Sequence, residues 1–218
     1  MNGPRHQPYR DREDSRFYQA RGLSPEETWR ALGDELARVL DDAQRAFWRT
    51  PLWMNLERVR WWHGAIFARR FPHDGGRFRR ELAFFGVVLP DGGMRQLEGV
   101  APDSIRRDLA TVCAAFNRRV EDFSAVESIL DYTRAAAGLY AGILRVHPFV
   151  DGNHRVGFVA LSAALWSFGL PNVRFIGAKE MIAHDDALVP ALVSASGDVE
   201  PFAQLLATRI ERASSDPP

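Results

Sequence analysis

Residues 145–155, RVHPFVDGNHR, place two imidazoles, a carboxylate and two guanidiniums on one short stretch of chain. His147 has the side chain best suited to take a proton near neutrality. Asp151 supplies a carboxylate that suits Mg²⁺ bridged to phosphates. Arg155 adds a fork of donors for phosphate oxygens. Taken singly, each has a plain reading: a helix-end histidine, a turn aspartate, a surface arginine. Gathered on one loop, a base, a metal carboxylate, an anion nest and an arginine are the parts that phosphoryl-type transfer requires.

The local chain dictates how these groups are held. Pro148 disfavours helical backbone at His147, so a helix must end there. Asp151-Gly152-Asn153 combines turn and N-cap residues. Val156, Val159, Ala160, Ala163 and Ala164 then restart an apolar helical face. The segment is predicted to be a helix, a tight loop and a second helix. The start of that second helix offers backbone N–H groups and the positive end of the dipole, which makes an anion site. Gly152 permits close approach of a ligand to the backbone, and Phe149 is expected to bury its ring and pin the loop.

The remaining elements must support that loop. Ser24-Pro25-Glu26-Glu27 reads as a helix start. Trp29, Leu32, Leu36, Val39 and Leu40 form an amphipathic stripe behind it. A second helix is predicted over 51–67, with Leu52, Leu56, Val59 and Trp62 or His63 on one face. Two short β-prone runs, 82–89 and 94–100, flank the turn Pro90-Asp91-Gly92-Gly93 and predict one hairpin, which must lie on the helices to be stable. Further helices are expected over 102–120, 125–146, 154–168, 178–184 and 198–212, with a stop at Gly169-Leu170-Pro171. The fold class is all-α with one small hairpin. Residues 1–22 read as a flexible arm carrying Phe17 and Tyr18, 23–212 as the domain, and 213–218 as a disordered tail.

Composition narrows the function. Basic and acidic residues balance at 28 each, so no global basic field argues for nucleic acid. The single cysteine, Cys113, excludes an internal disulfide and a cysteine-rich zinc site, and its helical neighbours Val112 and Phe116 predict a buried thiol. No secretory signal and no membrane span are expected, which points to the cytoplasm, with export into another cell left open. Trp61-Trp62-His63 reads as core in preference to a nucleobase platform. His184-Asp185-Asp186 reads as a helix-end turn in preference to a metal site. The basic run Arg69, Arg70, Arg77, Arg79 and Arg80 reads first as a solvated face.

The stretch HPFVDGNHR resembles the signature of the Fic/Doc family, H-x-F-x-D/E-G-N-G/K-R-x-x-R, at His147, Phe149, Asp151, Gly152, Asn153 and Arg155. The segment from Phe71 to Arg79 is similar to the loop that precedes the family's hairpin, so the resemblance spans roughly residues 50–185. It implies a Fic-type helical bundle in which the hairpin, through Phe84, Phe85, Gly86 and Val87, is a flap that docks the target segment. It implies that His147 deprotonates a Ser, Thr or Tyr hydroxyl of a protein substrate. Phe149 anchors the loop, and Asp151 holds Mg²⁺. Gly152, Asn153, His154 and Arg155 bind the nucleotide phosphates, with ATP as co-substrate and AMP transferred.

Two departures stand out. His154 replaces the family's Gly or Lys, and either reaches the phosphates or points to solvent. Phe158 stands where the family places a second Arg. These keep two alternatives open: a transferase with another phosphate-ester donor, including kinase-like action, and a catalytically degenerate binding module. Ser196 and Glu200 have the spacing of the family's inhibitory motif, but Pro201 follows where Gly or Asn is usual. Control by an inhibitory partner acting in trans, or no such control, is the reading that remains.

Overall fold

The computed structural model describes residues 24–88, 94–121, 128–171 and 197–215. Among them are six helices and a two-stranded sheet. They are α1 (Pro25–Phe47), α2 (Leu56–Phe67), β1 (Phe84–Val88), β2 (Met94–Glu98), α3 (Ile105–Glu121), α4 (Ile129–Val146), α5 (Asn153–Ser167) and α6 (Glu200–Ser215). The predicted helix 178–184 and the flexible arm at 1–22 lie outside the described residues.

The pair α4 and α5 forms the centre, with α3 and α6 against α4 and with α1 and α2 against α5. Helix α5 is buried on every side from Val156 to Trp166, which makes it a core helix and not the one-faced helix read from its alanines. Small residues let the helices approach closely. A Cβ on Gly142 would sit 2.5 Å from Val112, and one on Gly157 would meet the Tyr140 ring at 3.0 Å. Cys113 is buried as expected, and burial pushes its thiol up to about 11.

Boundaries follow the capping chemistry. Ser128 and Asp131 make a reciprocal capping box that starts α4. The stop at Gly169 is a Schellman motif. Leu170 N–H donates to the Leu165 carbonyl at 3.0 Å and Gly169 N–H to that of Trp166 at 2.9 Å, with Gly169 at φ 72°.

Helix α2 begins later than the sequence predicts. Asn55 is its N-cap and accepts a hydrogen bond from Arg58 N–H. Residues 51–55 are non-helical because buried Asn117 on α3 claims them. Its Oδ1 accepts from Met54 N–H at 2.8 Å, and its Nδ2 donates to the Met54 carbonyl at 2.9 Å. A long-range amide pair thus competes with helical hydrogen bonds and wins.

The hairpin is antiparallel, with Phe84 opposite Glu98, Phe85 opposite Leu97, Gly86 opposite Gln96 and Val87 opposite Arg95. Alternation along β1 turns Phe84 to solvent and Phe85 inward. The inward ring stacks on His147, which attaches the hairpin to the C-terminal end of α4.

Candidate active site

The loop between α4 and α5 holds the candidate residues together. Helix α4 ends on His147, whose backbone is left-handed at φ 50° and ψ 58° while its N–H still donates to the Ile143 carbonyl. A non-glycine residue in that region is held there by its surroundings. Arg79 does the holding. Its Nε donates to the His147 carbonyl at 2.6 Å, and its backbone N–H donates to the Pro148 carbonyl at 2.9 Å. Its other guanidinium nitrogens reach the carbonyls of Glu81, Val100 and Val146. Arg79 is buried, so the basic run containing it is not simply a solvated face. It binds both ends of the hairpin and the end of α4 in one cluster. Gly99 must lack a side chain there, since a Cβ would lie 2.7 Å from Arg79 and 2.9 Å from His147.

The His147 ring lies parallel to Phe85, with centroids 4.5 Å apart. It is only 9% exposed, and its Nδ1 makes no hydrogen bond. Burial first, and the Arg79 charge second, push its pKa down to about 4, against weaker upward pulls from the Leu144 backbone and Asp151. At neutral pH the imidazole is therefore uncharged and able to accept a proton.

Beyond His147 the loop is internally braced. Phe149 is fully buried. Its N–H donates to Asn153 Oδ1, and its carbonyl accepts from Asn153 Nδ2, both at 2.9 Å. The Asn153 side chain is thus occupied in shaping the loop, and what it offers an anion is its place in the first turn of α5. Asp151 Oδ1 accepts from Gly152 N–H at 2.6 Å, and Oδ2 lies 3.6 Å from Arg155. The N-cap of α5 is Gly152, with no side-chain cap, so neither Asp151 nor Asn153 caps the helix in the usual way. Gly152 is left-handed at φ 78°, and a Cβ would sit 2.2 Å from the Phe67 ring. Its need for glycine comes from packing on α2 as well as from backbone freedom.

The structure assigns His154 and Phe158 definite neighbours. His154 Nδ1 lies 3.2 Å from the hydroxyl of buried Tyr140, and Phe158 is buried. A hydrocarbon ring therefore occupies the position at which the family motif has an arginine. Of the flap residues, Phe84 is exposed while Phe85 forms a wall of the histidine site. Gly86 and Val87 contribute paired backbone, and their side chains lie outside the described residues.

Two supporting residues escaped the sequence reading. Arg79 reads from its charge run as surface, and its place in the loop before the hairpin is the available signal of its role. His63 was assigned to the core. It is buried there, but as a hydrogen-bonded bridge, with ring nitrogens on Gly76 and Asp151.

The donor set fits magnesium. Among the described residues no group of three or more His, Cys, Asp or Glu side chains gathers, so they form no all-protein cage for a cation. One carboxylate beside a helix start is a donor set that would suit Mg²⁺ completed by water and phosphate oxygens. Glu200, the candidate inhibitory glutamate, is engaged elsewhere. Both of its oxygens pair with Arg134 near the start of α4, at 2.7 and 2.8 Å. That is thirteen residues, or roughly 20 Å of helix, from His147. No described helix is long and apolar enough to cross a membrane.

A helical domain with its histidine, carboxylate and a helix start on one interhelical loop defines the class, and comparison gives the family. The sequence profile of the Fic/DOC family matches residues 53–165, and the chain belongs to that family. It is 26% identical over 191 residues to a protein adenylyltransferase Fic of Drosophila mojavensis, covering 88% of this chain and 34% of that protein. It is 27% identical over 150 residues to the Drosophila melanogaster protein of the same name, covering 69% and 27%. The chain thus spans about a quarter to a third of these relatives. Among solved structures it is similar to BepC, a VirB-translocated effector of Bartonella tribocorum with bound AMPPNP. There the TM-score is 0.61, the identity 16%, and the coverage 85% of this chain and 87% of that one. It is also similar to Fic-1 of C. elegans, with TM-score 0.59 and 19% identity over 94% of this chain and 62% of that one. At these identities the structural likeness shows a shared helical Fic fold.

Proposed function

We propose that this chain transfers AMP from ATP to a Ser, Thr or Tyr hydroxyl of a protein substrate, with His147 as general base. The observation that carries this reading is the convergence on one loop of a neutral buried imidazole, a carboxylate, an arginine and a helix start. The relatives' name, adenylyltransferase, and the adenine nucleotide bound to BepC support ATP as donor.

Each residue then has a task. The target hydroxyl approaches His147, aligned along the hairpin, and attacks the α-phosphorus in line. The new oxygen–phosphorus bond forms as the bond to the bridging oxygen breaks. Pyrophosphate leaves, and His147 takes the hydroxyl proton. The first turn of α5 and Arg155 hold the phosphates, and Asp151 would hold Mg²⁺, which neutralises phosphate charge when bound. Phe85 and Arg79 keep the imidazole buried, uncharged and aimed.

Phe158 favours a second reading, in which the donor differs from ATP. A buried ring supplies no charge for a terminal phosphate, and His154 is directed to Tyr140. A donor screen with radiolabelled nucleotides, wild type against His147→Ala, tests both readings. AMP retained on protein, with at least a hundredfold loss in the variant, is the expected result. Equal labelling by the variant overturns the mechanism, and preference for another donor selects the second reading.

A further inference from the structure

His63 lies on α2, well before the signature loop in the chain, and touches the loop where the metal carboxylate begins. Its ring is sandwiched between two others. The Phe149 centroid is 3.8 Å away at 9° and the Phe67 centroid 4.5 Å away at 8°. Both ring nitrogens are engaged. Gly76 N–H can only donate, so Nδ1, at 2.9 Å, is an acceptor and carries no proton. Nε2 therefore bears the proton and donates to the Asp151 carbonyl at 3.1 Å.

The Asp151 carbonyl and the Gly152 N–H belong to one peptide plane. His63 grips its carbonyl end, while Asp151 Oδ1 accepts from its N–H end at 2.6 Å. Turning that plane would move the carboxylate and the start of α5 together. Gly76 is held in turn by Arg60, whose Nε donates to the Gly76 carbonyl at 2.9 Å. The loop ahead of the hairpin, α2 and the signature loop are thereby connected through one imidazole.

We infer that His63 is a positioning residue for the magnesium nucleotide: its Nε2–H sets the Asp151–Gly152 peptide and so aims the Asp151 carboxylate. The inference rests on the reading that Asp151 serves a magnesium-bound nucleotide. Partners that orient a metal ligand typically influence affinity or activity about ten- to a hundredfold.

The test uses two substitutions that divide the histidine's functions. His63→Gln keeps a donor near the place of Nε2 and lacks the acceptor at Nδ1. His63→Asn keeps an acceptor near Nδ1 and cannot reach Asp151. Both lose the aromatic stack, so a merely structural role affects them alike. Calorimetry with ATP plus Mg²⁺, and with ATP in chelator, is run on both variants, alone and combined with Asp151→Asn. Melting curves show that each chain is folded.

The expected result is at least a tenfold loss of MgATP affinity for His63→Asn, and a loss within about threefold for His63→Gln. Metal-free ATP binding should change little, and the difference between the two variants should vanish in the Asp151→Asn background. Equal losses in both variants, or a His63→Asn loss that persists undiminished without Asp151, overturn the inference. A wild-type chain that binds no MgATP also overturns it. A chain that binds MgATP and responds as expected, yet transfers nothing to any protein, overturns only the functional reading.

Discussion

At the residue scale, His147 is kept in an unfavourable place by other side chains, and the proposed role as a base relies on them. Its backbone is left-handed, its ring is buried, and its pKa is pushed down to about 4 by burial and by Arg79. Arg79 satisfies five carbonyls, four through its guanidinium and Pro148 through its backbone. Arg79→Met removes the four side-chain contacts at once and leaves buried carbonyls without donors. The expected loss is about 2–4 kcal/mol, read from urea unfolding. The same variant removes a positive charge beside His147, so the histidine pKa rises toward the ordinary value of 6.5. A histidine titration by NMR checks the direction. An unchanged His147 titration would mean that the charge is screened and burial alone sets the shift.

At the element scale, the signature loop is braced by residues distant in sequence. The hairpin stacks Phe85 on His147, α2 contributes His63 and Phe67, and α3 holds the segment ahead of α2 by pairing Asn117 with Met54. Asn117→Leu preserves approximate volume and deprives Met54 of both backbone partners. Stranding a buried N–H and C=O is expected to destabilise the fold by about 2–4 kcal/mol in urea melts, well beyond an ordinary surface substitution. The exposed pair Arg134–Glu200, though bidentate, joins α4 to α6 with both side chains 38% exposed. Solvent screening leaves such a pair little net stability.

At the scale of the whole molecule, two buried neutral histidines connect stability to pH. His63 and His147 are both held near 4 in the folded chain against an ordinary value of 6.5. The unfolded chain therefore binds more protons between these values, and stability falls as pH drops from about 6.5 to about 4. Their contribution is complete above 6.5 and gone below 4. Unfolding at pH 7 and pH 5 should differ by on the order of 2–4 kcal/mol from these two groups. Replacing His63 with Gln should remove about half of that difference. A pH-independent midpoint over the window would show that one or both rings titrate normally in the fold.

Much of the molecule was legible before any coordinates. The helix–loop–helix followed from His147-Pro148 and the turn residues at 151–153. The hairpin followed from two apolar runs around a Pro-Asp-Gly-Gly turn, and the helix stop from Gly169. These are local signals, set by backbone sterics and by periodicities that operate over a few residues. The family signature was likewise contiguous. What the chain alone could not disclose was contact across long separations. The register of α2 depends on Asn117, 63 residues beyond Met54. The burial of Arg79 depends on carbonyls at 146 and 147, and the Asp151 carbonyl meets a ring 88 residues earlier. A composition of arginines or a Trp-Trp-His run contains no mark of such partners. Sequence determined which candidate groups share one loop and the bend that carries them. Tertiary packing decided how they are held, because a hydrogen bond between distant residues exists only after the helices have met.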